Sequence, residues 1–369
     1  MFDRDERNIS GCGLSGMMSA SRTRVSGSTI VDSMCNLRDR GNGLGAGFAA
    51  YGIYPELADL FALHLMYDFN KARVDTERLI EGAFDIVLAE PVPTRKTTGI
   101  VERPRFWRYF CAPREEWLVR EGLSREDYVL RRVMEINTGI EGAYVNSSGR
   151  NMGVFKGVGY PDEIAELFGL SDYNAWTWIG HARFPTNTPG WWGGAHPFTI
   201  LDWSVVHNGE ISSYGINRRY LEMFGYKCTM QTDSEVMAYL FDLLIRCHKL
   251  PLELVPKVVA SEFWKNIDLM DEREKKVNTA LRQVYAGALV NGPFAVILGH
   301  GGGMIGLSDR VKLRPMVAAS KDDWLYISSE EAGIRQMCLE PDRVWFPRAG
   351  EMVVGKLEDK TDAPDAPAA

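Results

Sequence analysis

The sequence predicts a mixed α+β protein, and three observations predict it. Strand-like runs cluster towards both ends of the chain, whereas helix-like periodicity collects in the middle, between about residues 54 and 137. Hydrophobic residues make up 45% and charged residues 25% of the 369, ordinary globular usage that excludes a disordered or collagenous chain. Apolar stretches are interrupted well before the roughly 18 residues that would span a bilayer; residues 285–298 are broken by Asn291, Gly292 and Pro293.

The polar, acidic start, MFDRDERNISG, has no apolar core of the kind a secretory signal needs, so a cytoplasmic protein is expected. Residues 12–53 are rich in Gly and Ser, with the dense cluster RDRGNGLGAGFAAYG at 38–52. PELADLFALHLMYDF shows helical spacing, FDIVLAEPVP is strand-like, and SREDYVLRRVMEI opens with a Ser124 and Asp127 capping pattern. Residues 143–160 suggest two strands paired through Gly and Ser turns. PDEIAELFG suggests a short helix, with Pro161 near its start and Gly169 just past its end.

WTWIGHARF and WSVV are expected as strands that deliver HARFPTNTPGWWGGAHPF and HNGE to their ends. Thr232 and Glu235 form a capping box for a helix over DSEVMAYLFDLLIRCHKL, with Asp233 in its first turn and an apolar face of Val236, Tyr239, Leu240, Leu243 and Cys247. The last third alternates FAVILG, MIGLS, MVAAS and WLYISS with turns, and 358–369 is expected to be a disordered tail.

Composition already narrows the function. With 42 basic against 49 acidic residues the net charge is −7, and no basic run offers a nucleic acid the concentrated positive face it requires. The six cysteines contain no Cys-x-x-Cys pair, which removes sequence-local zinc and iron–sulfur motifs and leaves mostly buried thiols. His181, His196 and His207 are close in sequence, but they lack helical i, i+4 spacing and accompanying acidic ligands, so no metal is expected.

Cys12 stands in GCGLSG, small residues that let a thiol approach a substrate and that equally make a tight turn before a strand. Asn208-Gly209 is on its own an ordinary strand-connecting dipeptide. Asp233 suits a helix start by its charge alone. Arg183 has the planar fork that binds a carboxylate through two oxygens.

Taken in order, Cys12-Gly13, His181-Ala182-Arg183-Phe184-Pro185-Thr186-Asn187, His207-Asn208-Gly209-Glu210, Asp233-Ser234-Glu235, and Asp309-Arg310 through Arg314-Pro315 with Ser329-Glu330 resemble the class II glutamine amidotransferases. Within that N-terminal-nucleophile group the resemblance is greatest to the stand-alone glutaminase of archaeal-type glutamate synthases. It implies a four-layer αββα sandwich and an enzyme that hydrolyses L-glutamine to L-glutamate through a Cys12 thioester. It further implies an oxyanion hole from Asn208 and Gly209, and a glutamine pocket from Arg183, Phe184, Thr186, Asp233 and His196.

The base in this family is the nucleophile's own α-amine, whose ordinary pKa of about 7.7–8.0 lies near working pH, so residues 1–11 are expected to be a propeptide. Residues 12–357 would then form the amidotransferase domain, with a synthase-type insertion at about 54–175. Lys312 stands where the family commonly has Gly, which puts that turn in question. Ammonia would pass to a separate synthase subunit: glutamate synthase first, N-methylglutamate synthase second. No cofactor is expected in this chain; FMN and iron–sulfur clusters would belong to the partner. A non-catalytic glutamine-sensing or scaffolding subunit is the alternative outside enzymology.

Overall fold

The computed structural model describes residues 11–100, 102–184, 190–230 and 232–358. Thr186, most of the expected propeptide and all but the first residue of the expected tail lie outside them. Two antiparallel sheets are stacked face to face. One has seven strands in the order β17 (Arg343–Trp345), β15 (Val317–Lys321), β16 (Trp324–Ser328), β1 (Gly13–Ser19), β10 (Thr177–Ala182), β3 (Ala46–Tyr51) and β8 (Met152–Gly157). The other has five, β11 (Phe198–Ile200), β12 (Trp203–Gly209), β13 (Phe294–His300), β14 (Gly303–Ser308) and β18 (Met352–Lys356).

Strand periodicity sorts β1 between two cores. Leu14 and Met18 point into the layer between the sheets with Ile179, Val206 and Ile297. Met17 points outwards, beneath α1 (Ser28–Asn36), α5 (Pro161–Phe168) and α11 (Glu331–Met337). Against the outer face of the five-stranded sheet lie α6 (Tyr214–Glu222), α7 (Glu235–Phe241) and α8 (Val255–Val259), and α10 (Glu272–Val284) packs on α8 and on α9 (Trp264–Ile267). The four layers are thus helices, sheet, sheet, helices: the αββα sandwich.

A third antiparallel sheet, β5 (Phe84–Pro91), β6 (Arg105–Pro113), β4 (Phe61–Tyr67) and β7 (Ala143–Ser147), carries α2 (Asn70–Ala83), α3 (Glu115–Glu121) and α4 (Arg125–Gly139). It shares its apolar core with the five-stranded sheet, and β7 lies against β11. A two-residue ribbon, β2 (Val25–Ser26) with β9 (Asn174–Ala175), lies outside these sheets. Residues 61–147 therefore form one appended layer, whereas β8 and α5 belong to the sandwich.

Several local expectations are corrected. FALHLMY is a strand, not a helix, and every residue in it is buried, so both faces needed apolar side chains and the period of two was erased. The strands at 143–147 and 152–157 do not pair with each other: β7 pairs with β4 and β8 with β3. The helix expected from Asp233 begins at Glu235, without a side-chain cap, and passes into a π-helical turn at Asp242–Cys247. Of the cysteines Cys111 and Cys338 are fully buried, Cys12, Cys35 and Cys228 are partly buried, and Cys247 is exposed. Ser124 does accept the Asp127 N–H at 3.1 Å, as its pattern predicts. Among the described residues no helix is long and apolar enough to cross a membrane.

Candidate active site

Cys12 immediately precedes β1, and the strand's first residues are fixed from both sides. The Leu14 N–H donates to Ser329 Oγ at 2.9 Å, and the Leu14 carbonyl accepts from Ser329 N–H and Ser328 Oγ, each at 2.9 Å. On the opposite flank Gly13 faces Ala182 in β10, so Arg183 and Phe184 emerge beside the thiol. The Phe184 N–H donates to Cys12 Sγ at 3.3 Å. Burial pushes the Cys12 thiol's pKa up; the Phe184 N–H and the positive charges of Arg183 and Arg314 pull it back.

Arg183 is held by its backbone: its N–H donates to Gly45 O at 2.9 Å and its carbonyl accepts from the Asn42 N–H at 3.2 Å. The glycine cluster at 41–47 is thus a cradle for the end of β10. The guanidinium is buried, and burial lowers its pKa while the charges of Cys12 and Asp233 raise it.

Asn208 and Gly209 end β12, paired with Ala295 and Phe294 of β13. Gly209 has φ +154°, and a Cβ there would lie 2.0 Å from Pro293 O, so only glycine fits. Asn208 is 2% exposed, yet its Nδ2 has no partner among the described residues. That is costly for a buried amide unless a ligand completes it. Its Oδ1 lies 3.5 Å from where a Cβ on Gly11 would be, so the amide sits against the peptide preceding Cys12.

Asp233 lies just before α7. Its Oδ2 accepts the Ile211 N–H at 2.6 Å and its Oδ1 accepts from Ser234 Oγ at 3.2 Å. Ser234 Oγ is also 2.8 Å from His207 Nδ1, and the His207 carbonyl accepts from His181 Nε2 at 3.0 Å. The His181 ring stacks on His196 at 3.9 Å, and His196 meets Phe198 edge-on at 4.7 Å. Burial holds His181 at about 3 and His196 well below its ordinary value, so the stack is neutral. The three histidines do meet: His181 stacks on His196, and the His207 ring lies tilted 6.5 Å from His196; among the described residues no group of three or more His, Cys, Asp or Glu could hold a metal ion.

Sequence reasoning assigned no role to two further cations. Arg40 Nε donates to the Cys12 carbonyl at 3.4 Å, and Arg314 Nη1 lies 3.7 Å from the position of a Gly11 Cβ. The signals were present in RDRG and in the Arg314-Pro315 motif. The turn carrying Arg314 tolerates Lys312 in place of glycine: Lys312 takes φ +57°, its Nζ donates to Pro347 O at 2.6 Å, and Asp309 accepts the Val311 and Leu313 N–H groups at 2.8 and 3.0 Å.

A thiol thus stands at the head of a central strand in an αββα sandwich. The sequence pattern of the family "Glutamine amidotransferases class-II" matches residues 92–227. An uncharacterized protein of Archaeoglobus fulgidus is 51% identical over 358 residues, 96% of this chain and 94% of that one. The glutamine amidotransferase-like protein GlxB of Rhizobium meliloti is 27% identical over 207 residues, 55% of this chain and 59% of that protein. An amidophosphoribosyltransferase of Methanocaldococcus jannaschii is 25% identical over 231 residues, 60% of this chain and 43% of that one. This chain belongs to the class II glutamine amidotransferases.

Proposed function

We propose that this protein is the glutaminase subunit of a glutamate synthase, releasing ammonia from L-glutamine for a separate synthase subunit. The observation that carries the reading is the Phe184 N–H to Cys12 Sγ bond, which puts the thiol beside Arg183 while Asn208 Nδ2 stays uncommitted. Arg183 would pair with the substrate α-carboxylate and Asp233 with its α-ammonium, so that a zwitterion is bound between opposite charges. Phe184, Thr186 and His196 would complete the pocket.

The Cys12 sulfur attacks the side-chain amide carbon, and the negative charge that develops on its oxygen is met by Asn208 Nδ2 and the Gly209 N–H. The Cys12 α-amino group takes the thiol's proton as the C–S bond forms; collapse breaks the C–N bond, ammonia leaves with that proton, and water then hydrolyses the thioester to glutamate and free thiol. That base exists only after cleavage between Gly11 and Cys12. Any FMN and iron–sulfur chemistry would reside on the synthase subunit.

Intact-mass measurement of purified protein tests the first requirement: the mature chain should begin at Cys12. Co-purified with its natural partner, it should release ammonium from glutamine, and Cys12→Ala should abolish that release. A full-length, inert product, or turnover surviving in Cys12→Ala, overturns the reading.

A further inference from the structure

Lys156 is a lysine where the strand pattern calls for an apolar residue. It lies on β8, an edge strand of the seven-stranded sheet, shares its face with Met152 and Val154, and is 2% exposed. Its Nζ donates to Gly193 O at 3.1 Å and Pro197 O at 3.2 Å, two carbonyls that bracket His196, and stands 4.7 Å from the centre of the Phe198 ring. Opposite it on β3, a Cβ on Gly47 would lie 2.5 Å from Lys156 Cβ and 2.2 Å from His196 O. Glycine there is what lets the lysine stem and the 193–197 segment come together.

Facing Lys156 is Glu235, 1% exposed, whose carboxylate accepts from Tyr239 Oη at 2.7 Å and from the Met230 N–H at 3.1 Å. That second bond ties the segment leading into Asp233 back onto the first residue of α7. Both side chains line a small cavity of about 10 Å³, room for a single water, together with Phe198, Met230 and Tyr239. Asn146 Oδ1 also borders this region, buried and without a partner among the described residues.

We propose that Lys156 and Glu235 are positioning residues: a buried charge couple across a water-sized cavity that sets the spacing between residues 193–197 and Met230. The side chains of Arg183 and Ala195 both come against Gly45, and Asp233 stands two residues before Glu235, so the couple governs affinity for the amino-acid end of the substrate; this rests on the glutaminase reading. A lone buried ammonium is expensive, and an apolar residue of similar length would pack there without that cost, so the charge is explained by what it orients. Burial pulls Lys156 down to about 7, Glu235 opposes that fall and Arg183 adds to it. Burial raises Glu235, and the neighbouring His181 and His196 rings are held neutral.

The test compares Lys156→Met, Glu235→Gln and the double variant of the partner-bound enzyme, with folding checked by thermal melting. Two reagents label Cys12: a γ-diazoketone analogue of glutamine, which needs the clamp, and iodoacetamide, which does not. Each single variant should raise both KM for glutamine and the half-saturating analogue concentration about tenfold, and the double variant should be no worse than either single one. Iodoacetamide rates and kcat should stay within about twofold. In the wild type, affinity should weaken as pH rises through about 7, and Lys156→Met should lose that dependence. If Lys156→Met fails to fold, Lys156→Gln, which keeps a donor without the charge, replaces it. Unchanged KM, additive effects, or iodoacetamide rates falling in step with analogue affinity overturn the proposal. A wild-type Cys12 that the analogue does not label overturns the glutaminase reading instead.

Discussion

The backbone N–H of Phe184 donates to the sulfur of Cys12 at 3.3 Å although 172 positions separate them in the chain. The bond exists because Gly13 and Ala182 are opposite each other in adjacent strands, so the residue before one strand and the two after the other meet at the same end of the sheet. Cys12 and Arg183 thus share one rigid ladder, and their spacing is set by strand register and not by a loop.

The buried, uncommitted Nδ2 of Asn208 leads to the first expectation. Asn208→Ala should lower kcat about 10²–10³-fold with little change in KM, because the lost donor acts on charge that exists only in the transition state. Steady-state ammonium release checks it. A purely raised KM would make Asn208 a ground-state contact.

Arg183 should behave differently. Arg183→Lys keeps one positive charge but loses the fork, and the uniform binding it supplies should fall, raising KM about tenfold or more with kcat largely preserved. Glutamine titrations of both enzymes decide it. An unchanged KM would remove Arg183 from the clamp.

Much of this was legible in the sequence because the residues concerned sit at strand ends beside small residues. WTWIGHARF and WSVV do form β10 and β12, and their termini do place Phe184 against Cys12 and Asn208 against Gly11. What escaped depends on partners distant in sequence. FALHLMY is buried on both faces, so its composition carries no alternation to distinguish strand from helix. The adjacent β7 and β8 look like a hairpin, but partner choice sends them to different sheets. Lys156, in MGVFKG, resembles a solvent-facing strand residue; only the tertiary arrangement shows that its amine ends inside the protein, against two carbonyls.

The balance of effects on Cys12 predicts a pH profile. Burial disfavours the thiolate, and the charges of Arg183 and Arg314 favour it. Alkylation of Cys12 by iodoacetamide should therefore rise with pH through a midpoint above that of an ordinary thiol. Removing a cation withdraws thiolate stabilisation, so Arg314→Met should shift the midpoint further upward and slow labelling at pH 8 by about three- to tenfold. A midpoint that falls, or stays put, would show that Arg314 does not act on the sulfur.

Buried histidines should make the fold sensitive to mild acid. Burial holds His64 and His181 at about 3 and His300 at about 4. In the unfolded chain each returns to about 6.5. Below that value the unfolded chain binds protons that the native protein refuses, so the contribution is fully present above pH 6.5 and is lost as pH falls towards the native values. Each such group contributes a slope of about 1.4 kcal/mol per pH unit. Glu235 and Asp202, raised by burial, work in the opposite direction and reduce the slope without reversing its sign. Urea unfolding at pH 7.5 and pH 5.0 should show a loss on the order of several kcal/mol, and His64→Gln, far in sequence from the catalytic motifs, should flatten the slope by about one proton. Equal stability at the two pH values would mean that these rings accept protons in the folded state.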